Sequence, residues 1–162
     1  MDAITRLLHD HGGALRLYAR QWLTDAAAAD DAVQEAVVAC WRRDPGLIAT
    51  AIPQVFVAVR HAALNLGRGE RRRDLRESQV AAEQQPCFLC PQTADDLREE
   101  VEEALARLPG AQREVVTLHL WGGLTFAEIG EVLDCNANTV ASRYRYALTA
   151  LRDLLSLPEV RP

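Results

Sequence analysis

The amino-acid sequence predicts an all-α protein of two small helical domains joined by a flexible linker, the C-terminal one containing a helix-turn-helix. Three observations support this prediction. Apolar residues recur at helical spacing through residues 3–73 and again from residue 95 onward. Residues 77–94 lose that periodicity and collect Gln, Pro and Thr, which is typical of a linker. Two helix-start signals, at Thr125 and Asn136, lie close together near the C-terminus.

The N-terminal domain, residues 1–76, is predicted to contain three helices. They span about residues 3–22, 27–43 and 53–73, each with an apolar stripe. The dipeptide Pro45-Gly46 ends the second helix, and Pro53 suits the first turn of the third because its fixed φ is helical. Residues 42–52 are expected to form a loop.

The C-terminal domain, residues 95–157, begins with a helix from Asp95 that Pro109-Gly110 interrupts, and a second helix is predicted over residues 112–121. Thr125 and Glu128 then have the spacing of a capping box at the start of a short helix. A turn at residues 134–136 leads into a longer helix. Because the second helix of a helix-turn-helix enters the DNA major groove, this pattern predicts DNA as a partner.

The second helix of this motif has a buried and an exposed side. At about 100° per residue, one sector collects Val140, Tyr144, Ala147, Leu148 and Leu151. The exposed remainder is polar, aromatic and basic, as expected of a surface that contacts bases and phosphates. These candidate DNA-binding residues are Asn138, Thr139, Ser142, Arg143, Arg145, Tyr146 and Thr149. The alternative interpretation is an ordinary solvated face of a helical hairpin.

Composition restricts the classes of function. The chain has 162 residues, a net charge of −5 and four cysteines. No apolar run approaches the ~20 residues that span a bilayer, so we predict no membrane insertion. The absence of a secretory signal, together with the cysteine usage, favours a reduced cytoplasm. The charge argues against purely electrostatic DNA binding, although residues 67–80 carry five arginines against three acids.

Cys87 and Cys90 form a CxxC pair within the linker. A single CxxC is half of a zinc site, and the other cysteines and histidines show no complementary spacing. The pair could also act as a redox-active dithiol, but an apolar linker patch is the simpler interpretation. We therefore expect no cofactor. No motif of an enzyme active site is present in the sequence, and we predict that the protein is not an enzyme.

Several ordered elements of the C-terminal domain resemble a known family. Leu108-Pro109, residues 112–115, residues 123–125, residues 128–130 and the segment 138–143 resemble the promoter −35-binding domain of bacterial sigma factors. The resemblance is greatest to the short extracytoplasmic-function (ECF) class. It implies a protein that binds core RNA polymerase and directs promoter-specific initiation through the −10 and −35 elements, with an anti-sigma factor as a further partner.

The N-terminal domain shows the same resemblance. The segment from Asp30 through Arg42 resembles the helix by which sigma factors grip core polymerase, which implies polymerase contacts by Asp30, Asp31, Gln34, Glu35 and Trp41. The segment 59–65 and the arginines after it resemble the helix that meets the −10 element. The implied −10 contacts are Gln54, Arg60, His61, Asn65, Arg68, Arg71, Arg72 and Arg73.

The sequence departs from the family pattern at four of these positions. Gln54 replaces a common Trp, His61 replaces a common Asn, and Ala141 and Tyr146 stand where basic residues are frequent. We therefore expect an atypical promoter. Two alternatives remain open: a helix-turn-helix regulator that works without polymerase, and a sigma-like adaptor that has lost promoter binding.

Overall fold

The computed structural model describes residues 2–77 and 96–155, and these residues are helical apart from short turns. The helices of the N-terminal unit are α1 (Ala3–Ala19), α2 (Ala26–Arg43), α3 (Leu47–Thr50) and α4 (Ile52–Glu77). Those of the C-terminal unit are α5 (Asp96–Arg107), α6 (Gly110–Val116), a π-helix (Thr117–Trp121), α7 (Phe126–Leu133) and α8 (Ala137–Leu155). The predicted all-α class with two helical domains is confirmed.

In the N-terminal unit, α2 and α4 pack against each other and α1 closes the bundle. The Asp25 side chain accepts a hydrogen bond from the Ala27 amide at 3.0 Å and caps α2. Tyr18 and Phe56, both fully buried, meet edge to face at the centre with 5.7 Å between ring centroids. Burial of these two rings fixes α1 against α4.

Helix α3 lies in the segment for which the sequence predicted a loop. Its four residues follow a turn in which the Asp44 carboxylate accepts a hydrogen bond from the Gly46 amide at 2.9 Å. Ile48 is 1% exposed, so burial of this side chain stabilises a helical turn that local periodicity is too short to reveal. The prediction of a loop over residues 42–52 was wrong at this point.

The predicted helix over residues 112–121 divides into α6 and the π-helix. The Gly122 amide donates to the Thr117 carbonyl at 3.1 Å, a bond that spans five residues instead of four. The change of pitch buries Thr117 and Leu118 and leaves Leu120 and Trp121 exposed. It also turns the chain toward α7.

The two units share one hydrophobic core. Helix α1 contacts the π-helix, and α4 contacts α7. A single buried cluster contains Tyr18 and Phe56 together with Val115, Leu118 and Ile129 of the C-terminal unit. The predicted linker, residues 77–94, lies outside the described residues apart from Glu77. Among the described helices, none is long and apolar enough to cross a bilayer.

Candidate functional site

The helix-turn-helix forms as its sequence signals predicted. The Thr125 hydroxyl accepts a hydrogen bond from the Glu128 amide at 3.2 Å, and the Glu128 carboxylate accepts from the Thr125 amide at 3.4 Å. This capping box begins α7. The Asn136 side chain accepts from the Asn138 amide at 2.7 Å and caps α8. Asp134 between them adopts a left-handed conformation, with φ of 53°, and ends α7.

Helix α8 presents a polar face to solvent from Asn138 to Thr149. Tyr146 is 69% exposed, and Asn138, Thr139, Arg145 and Thr149 are also exposed. The Arg145 guanidinium donates to the Ser142 hydroxyl at 3.3 Å, which orients it across this face. The structure therefore places five of the seven predicted −35 residues on accessible surface, with Ser142 half-buried beside them.

Arg143 lies apart from the other candidates on α8. It is half-buried, and its guanidinium donates to the Cys135 sulfur in the preceding turn at 3.9 Å. Its position is about 60° from the buried Val140 around the helix, so its stem is drawn toward the core. Leu148, in contrast, was predicted to be buried and is 39% exposed. That prediction was wrong, since the described neighbours do not cover this part of the helix.

Helix α4 carries a second exposed polar stripe. At about 100° per residue, five exposed residues fall within a sector of about 60°. They are Gln54, His61, Asn65, Arg68 and Arg72. Arg71 is exposed beside this stripe, and the side chain of Arg73 lies outside what the structure describes. The apolar residues of α4 face the other way, which fixes the orientation of the stripe.

Arg60 differs from the other candidates on α4 because it points toward the C-terminal unit. Its Nε atom lies 3.3 Å from the Glu114 carboxylate of α6, and its side chain is 32% exposed. Its guanidinium also lies over the Trp22 ring, 5.7 Å from the ring centroid. The tertiary structure thus pairs this predicted −10 ligand with Glu114 and leaves its side chain half-buried.

The candidate polymerase-binding face is formed by α2. Asp31, Gln34 and Glu35 are exposed and line a shallow groove with Val38 and Arg42. Trp41 is 38% exposed on the same helix. Asp30 is held instead by Arg16 of α1, with 2.8 Å between Nε and the carboxylate oxygen. The structure therefore brings together acidic and apolar groups on one accessible surface, with Asp30 at its inner border.

Sequence reasoning assigned no individual role to Arg113 and Glu114. The Arg113 guanidinium donates to three carbonyls at the end of α5, those of Leu105, Ala106 and Leu108, at 3.0, 3.1 and 2.8 Å. Because free carbonyls at a helix end need partners, this side chain acts as the C-cap of α5. The resemblance contained both residues in segment 112–115, but spacing alone could not reveal what they contact.

Among the side chains that the structure describes, Glu114 is the one buried acid. Burial raises the pKa of Glu114, because the charged form loses its hydration. The positive charges of Arg60, Arg143 and Arg113 act in the opposite direction. The pKa of Tyr18 is raised mainly by burial and to a smaller extent by the negative charge of Glu114, whereas Arg60 lowers it. These groups therefore meet at one polar junction between the two units.

Cys87 and Cys90 lie outside the described residues, so the metal or redox hypothesis for this pair stays a prediction. The two cysteines in the described ranges, Cys40 and Cys135, are far apart in the sequence and free.

Known proteins resemble this chain in sequence. Residues 98–151 match the family model for sigma-70, region 4. SigL of Mycobacterium tuberculosis, named an ECF RNA polymerase sigma factor, is 30% identical over 98% of this chain and 91% of its own length. SigK of Mycobacterium ulcerans, with the same family name, is 31% identical over 82% of this chain and 75% of its own.

A solved structure shows the same fold. It is the sigma factor RpoE in complex with the anti-sigma factor NepR, from Bartonella quintana, with a TM-score of 0.76 and 21% identity. The match covers 98% of this chain and 100% of that one. Because the similarity to SigL extends over both helical units, the chain belongs to the ECF family of RNA polymerase sigma factors, which direct promoter-specific transcription by RNA polymerase.

Proposed function

We propose that three helical faces of this sigma factor divide its work. The α2 face, comprising Asp31, Gln34, Glu35 and Trp41 with Asp30 at its border, binds core polymerase. The α4 stripe and its neighbouring arginines bind the −10 element. The exposed N-terminal half of α8 reads the −35 duplex. The proposal places this activity in the cytoplasm, where polymerase and promoter meet, and sigma factors as a family act by positioning polymerase rather than by catalysis.

The observation that supports this division is that each face is exposed on a different helix while the same helices bury their apolar sides in one core. The acidic α2 face suits a basic protein surface, where complementary charge orients the partners. The arginine-rich α4 suits phosphates. Hydroxyl, amide, guanidinium and aromatic groups on α8 suit base edges in the major groove.

An anti-sigma factor is a further proposed partner. The sigma factor of the matched solved structure is bound to one, and the similarity in fold covers nearly the whole of both chains. Polymerase and an anti-sigma factor would then compete for this chain.

Replacing Arg145 with alanine is expected to weaken binding of the full chain with core polymerase to its promoter by roughly 5- to 100-fold. The guanidinium is exposed on the reading face and held by Ser142, so its loss removes a base or phosphate contact. The salt slope of binding should also fall by about one unit if the contact is to phosphate. Run-off transcription and duplex binding across salt concentrations measure both effects.

Arg152 provides the matched control for Arg145. It lies on the same helix and is exposed, but two turns farther from the helix N-terminus. Arg152→Ala should leave promoter binding within about twofold of the parent, because the N-terminal half of α8 enters the groove. If Arg145→Ala and Arg152→Ala weakened promoter binding equally, the N-terminal half of α8 would have no special role in binding the promoter.

Reversing the charge of both Asp31 and Glu35 to arginine is expected to lower the affinity for core polymerase at least about tenfold. Both carboxylates are exposed and neither shapes the core, so the helical content should be unchanged. Titration of labelled core polymerase measures the affinity. The control is the pair Asp10→Arg and Glu103→Arg, which changes net charge equally on other exposed helices.

Unaltered affinity of the Asp31 and Glu35 variant would show that α2 is not the polymerase face. The two alternative functions also give different results in these assays. A polymerase-independent regulator would bind promoter duplex equally well without core polymerase. A sigma-like adaptor would bind core polymerase but give no promoter-specific transcript.

A further inference from the structure

Three aromatic rings join the helix-turn-helix to the helix that precedes it. The centroid of the His119 ring in the π-helix lies 4.8 Å from that of Phe126 in α7 and 4.8 Å from that of Tyr144 in α8. The centroids of Phe126 and Tyr144 are 5.3 Å apart, so each ring contacts the other two. Rings at this separation attract each other beyond the area that they bury. The cluster therefore connects three consecutive elements at one point.

A hydrogen bond to the backbone fixes the His119 ring within this cluster. The Nδ1 atom lies 2.9 Å from the Leu124 carbonyl, and because a carbonyl oxygen only accepts, Nδ1 carries the proton. The Leu124 amide donates in turn to the Leu118 carbonyl at 3.1 Å. Gly123 permits this turn because its φ of 68° lies in the left-handed region. The turn before α7 thus sets the orientation of the imidazole.

Tyr144 anchors α8 on the side opposite the face that is proposed to read DNA. Its ring is half-buried and packs against both hydrophobic clusters that contain buried residues of α8. At about 100° per residue, six of the seven −35 candidates lie between about 100° and about 220° around the helix from Tyr144. We call these six residues the reading face: Asn138, Thr139, Ser142, Arg145, Tyr146 and Thr149. Because a helix moves as one body, a displacement of the Tyr144 ring displaces the whole reading face.

We propose that His119 is a positioning residue for −35 recognition: by holding the Tyr144 ring, it sets the depth and rotation at which α8 presents its reading face. This inference rests on the proposed assignment of α8 to the −35 duplex. Hydrogen bonds to base edges depend on distance and angle, whereas phosphate contacts carry no sequence information. Loss of His119 should therefore weaken discrimination between sequences more than it weakens attachment to DNA.

Binding of two duplexes by the full chain with core polymerase tests this role. One duplex is a promoter that the parent holoenzyme selects from a random library, and the other is the same promoter with a scrambled −35 element. His119→Ala should weaken binding of the selected duplex at least about fivefold, the lower bound for loss of one base contact, and binding of the scrambled duplex less than about twofold. His9→Ala, the same substitution at an exposed position on α1, should change neither affinity.

Two further variants separate the ring contact from the hydrogen bond and also distinguish positioning from loss of structure. His119→Phe keeps a ring against Tyr144 but has no donor for Leu124, and it should bring binding of the selected duplex to within about threefold of the parent. His119→Asn keeps a donor but loses the ring, and it should bind like His119→Ala. Hydrogen exchange verifies that α8 stays protected. If α8 loses protection in His119→Ala, the comparison of the Phe and Asn variants decides the result.

Arg145→Ala separates failure of this inference from failure of the proposed function. In the parent it should weaken binding of the selected duplex, but in the His119→Ala chain it should add less than about twofold, because the guanidinium is already displaced. Effects that multiply, an unchanged preference in His119→Ala, or rescue by Asn instead of Phe would overturn the positioning role of His119. A parent whose preference for the selected duplex survives Arg145→Ala would instead overturn the assignment of α8 to the −35 duplex.

Discussion

Replacing Arg113 with alanine is expected to lower the free energy of unfolding by about 3 kcal/mol or more, the largest effect of any single polar substitution considered for this chain. The guanidinium donates to three carbonyls at the C-terminal end of α5, at 2.8 to 3.1 Å. Hydrogen bonds from a charged donor contribute about 1.5–3 kcal/mol each, and their loss leaves these carbonyls without that partner. Helix α5 should therefore detach from α6 and α8.

The chemistry of the guanidinium is what makes this effect large. Burial lowers the pKa of Arg113, and the negative charge of Glu114 acts in the opposite direction. The guanidinium nevertheless remains positively charged. Its planar fork can meet several carbonyls at once, whereas an ammonium is a point charge. Arg113→Lys should therefore recover less than half of the lost stability.

Urea denaturation followed by circular dichroism measures these free energies, and hydrogen exchange locates the loss. We expect increased exchange in α5 before any change in the helices of the N-terminal unit. Arg107→Ala is the matched control, since Arg107 is exposed at the end of the same helix. If Arg113→Ala were no more destabilising than Arg107→Ala, the side-chain cap would have no energetic role.

The second large effect concerns the partly buried ion pair between Arg60 and Glu114, whose two partners are expected to respond unequally. Arg60→Ala should lower the free energy of unfolding by about 1–3 kcal/mol, because it leaves the buried Glu114 carboxylate without its closest charge. Glu114→Gln should change the free energy of unfolding by less than about 1 kcal/mol. The amide avoids the desolvation of a charge and still accepts a hydrogen bond from Arg60.

The pH dependence of these variants follows from the direction of the Glu114 shift. Its pKa is raised in the folded chain, so the folded state binds the proton more tightly than the unfolded state. Protonation therefore favours folding, and this contribution is lost as pH rises from the ordinary glutamate range through the raised pKa. Arg60→Ala removes the main opposing charge and raises that pKa further.

The stability deficit of Arg60→Ala should consequently shrink as pH falls from neutral toward the ordinary glutamate range. Glu114→Gln has no carboxyl to titrate, so its difference from the parent should vary with pH in the sense opposite to that of Arg60→Ala. Urea denaturation at several pH values measures both series. If the stability deficit of Arg60→Ala did not change over this pH range, Glu114 would have to be neutral throughout it or exposed to solvent.

Much of the local structure followed from the sequence. Thr125, Glu128 and Asn136 each satisfy backbone amides within three residues of themselves, so local sequence is enough to predict the capped helices of the helix-turn-helix. The exposed stripe of α4 likewise follows from helical periodicity, because burial of one side determines which side is exposed. The assignment of these faces to polymerase and promoter remains a prediction.

Short helical elements and individual side-chain contacts were beyond the reach of periodicity. A four-residue helix such as α3 is held by burial of Ile48, and the π-helix is defined by one bond from Gly122 to Thr117. Neither element is long enough for apolar residues to recur at helical spacing, so neither could be predicted from the sequence. Arg143 was predicted to read DNA from its place on the helix, yet its guanidinium contacts the Cys135 sulfur.

The sequence by itself determined the longer helices, the caps at Thr125 and Asn136 and the helix-turn-helix, because those depend on residues within a few turns of each other. It also carried the resemblance to sigma factors. Only the tertiary structure decided that the two units share a core and that Glu114 pairs with Arg60. The physical reason is that such pairings depend on which surfaces meet after folding, and residues 54 positions apart leave no periodic signal of their contact.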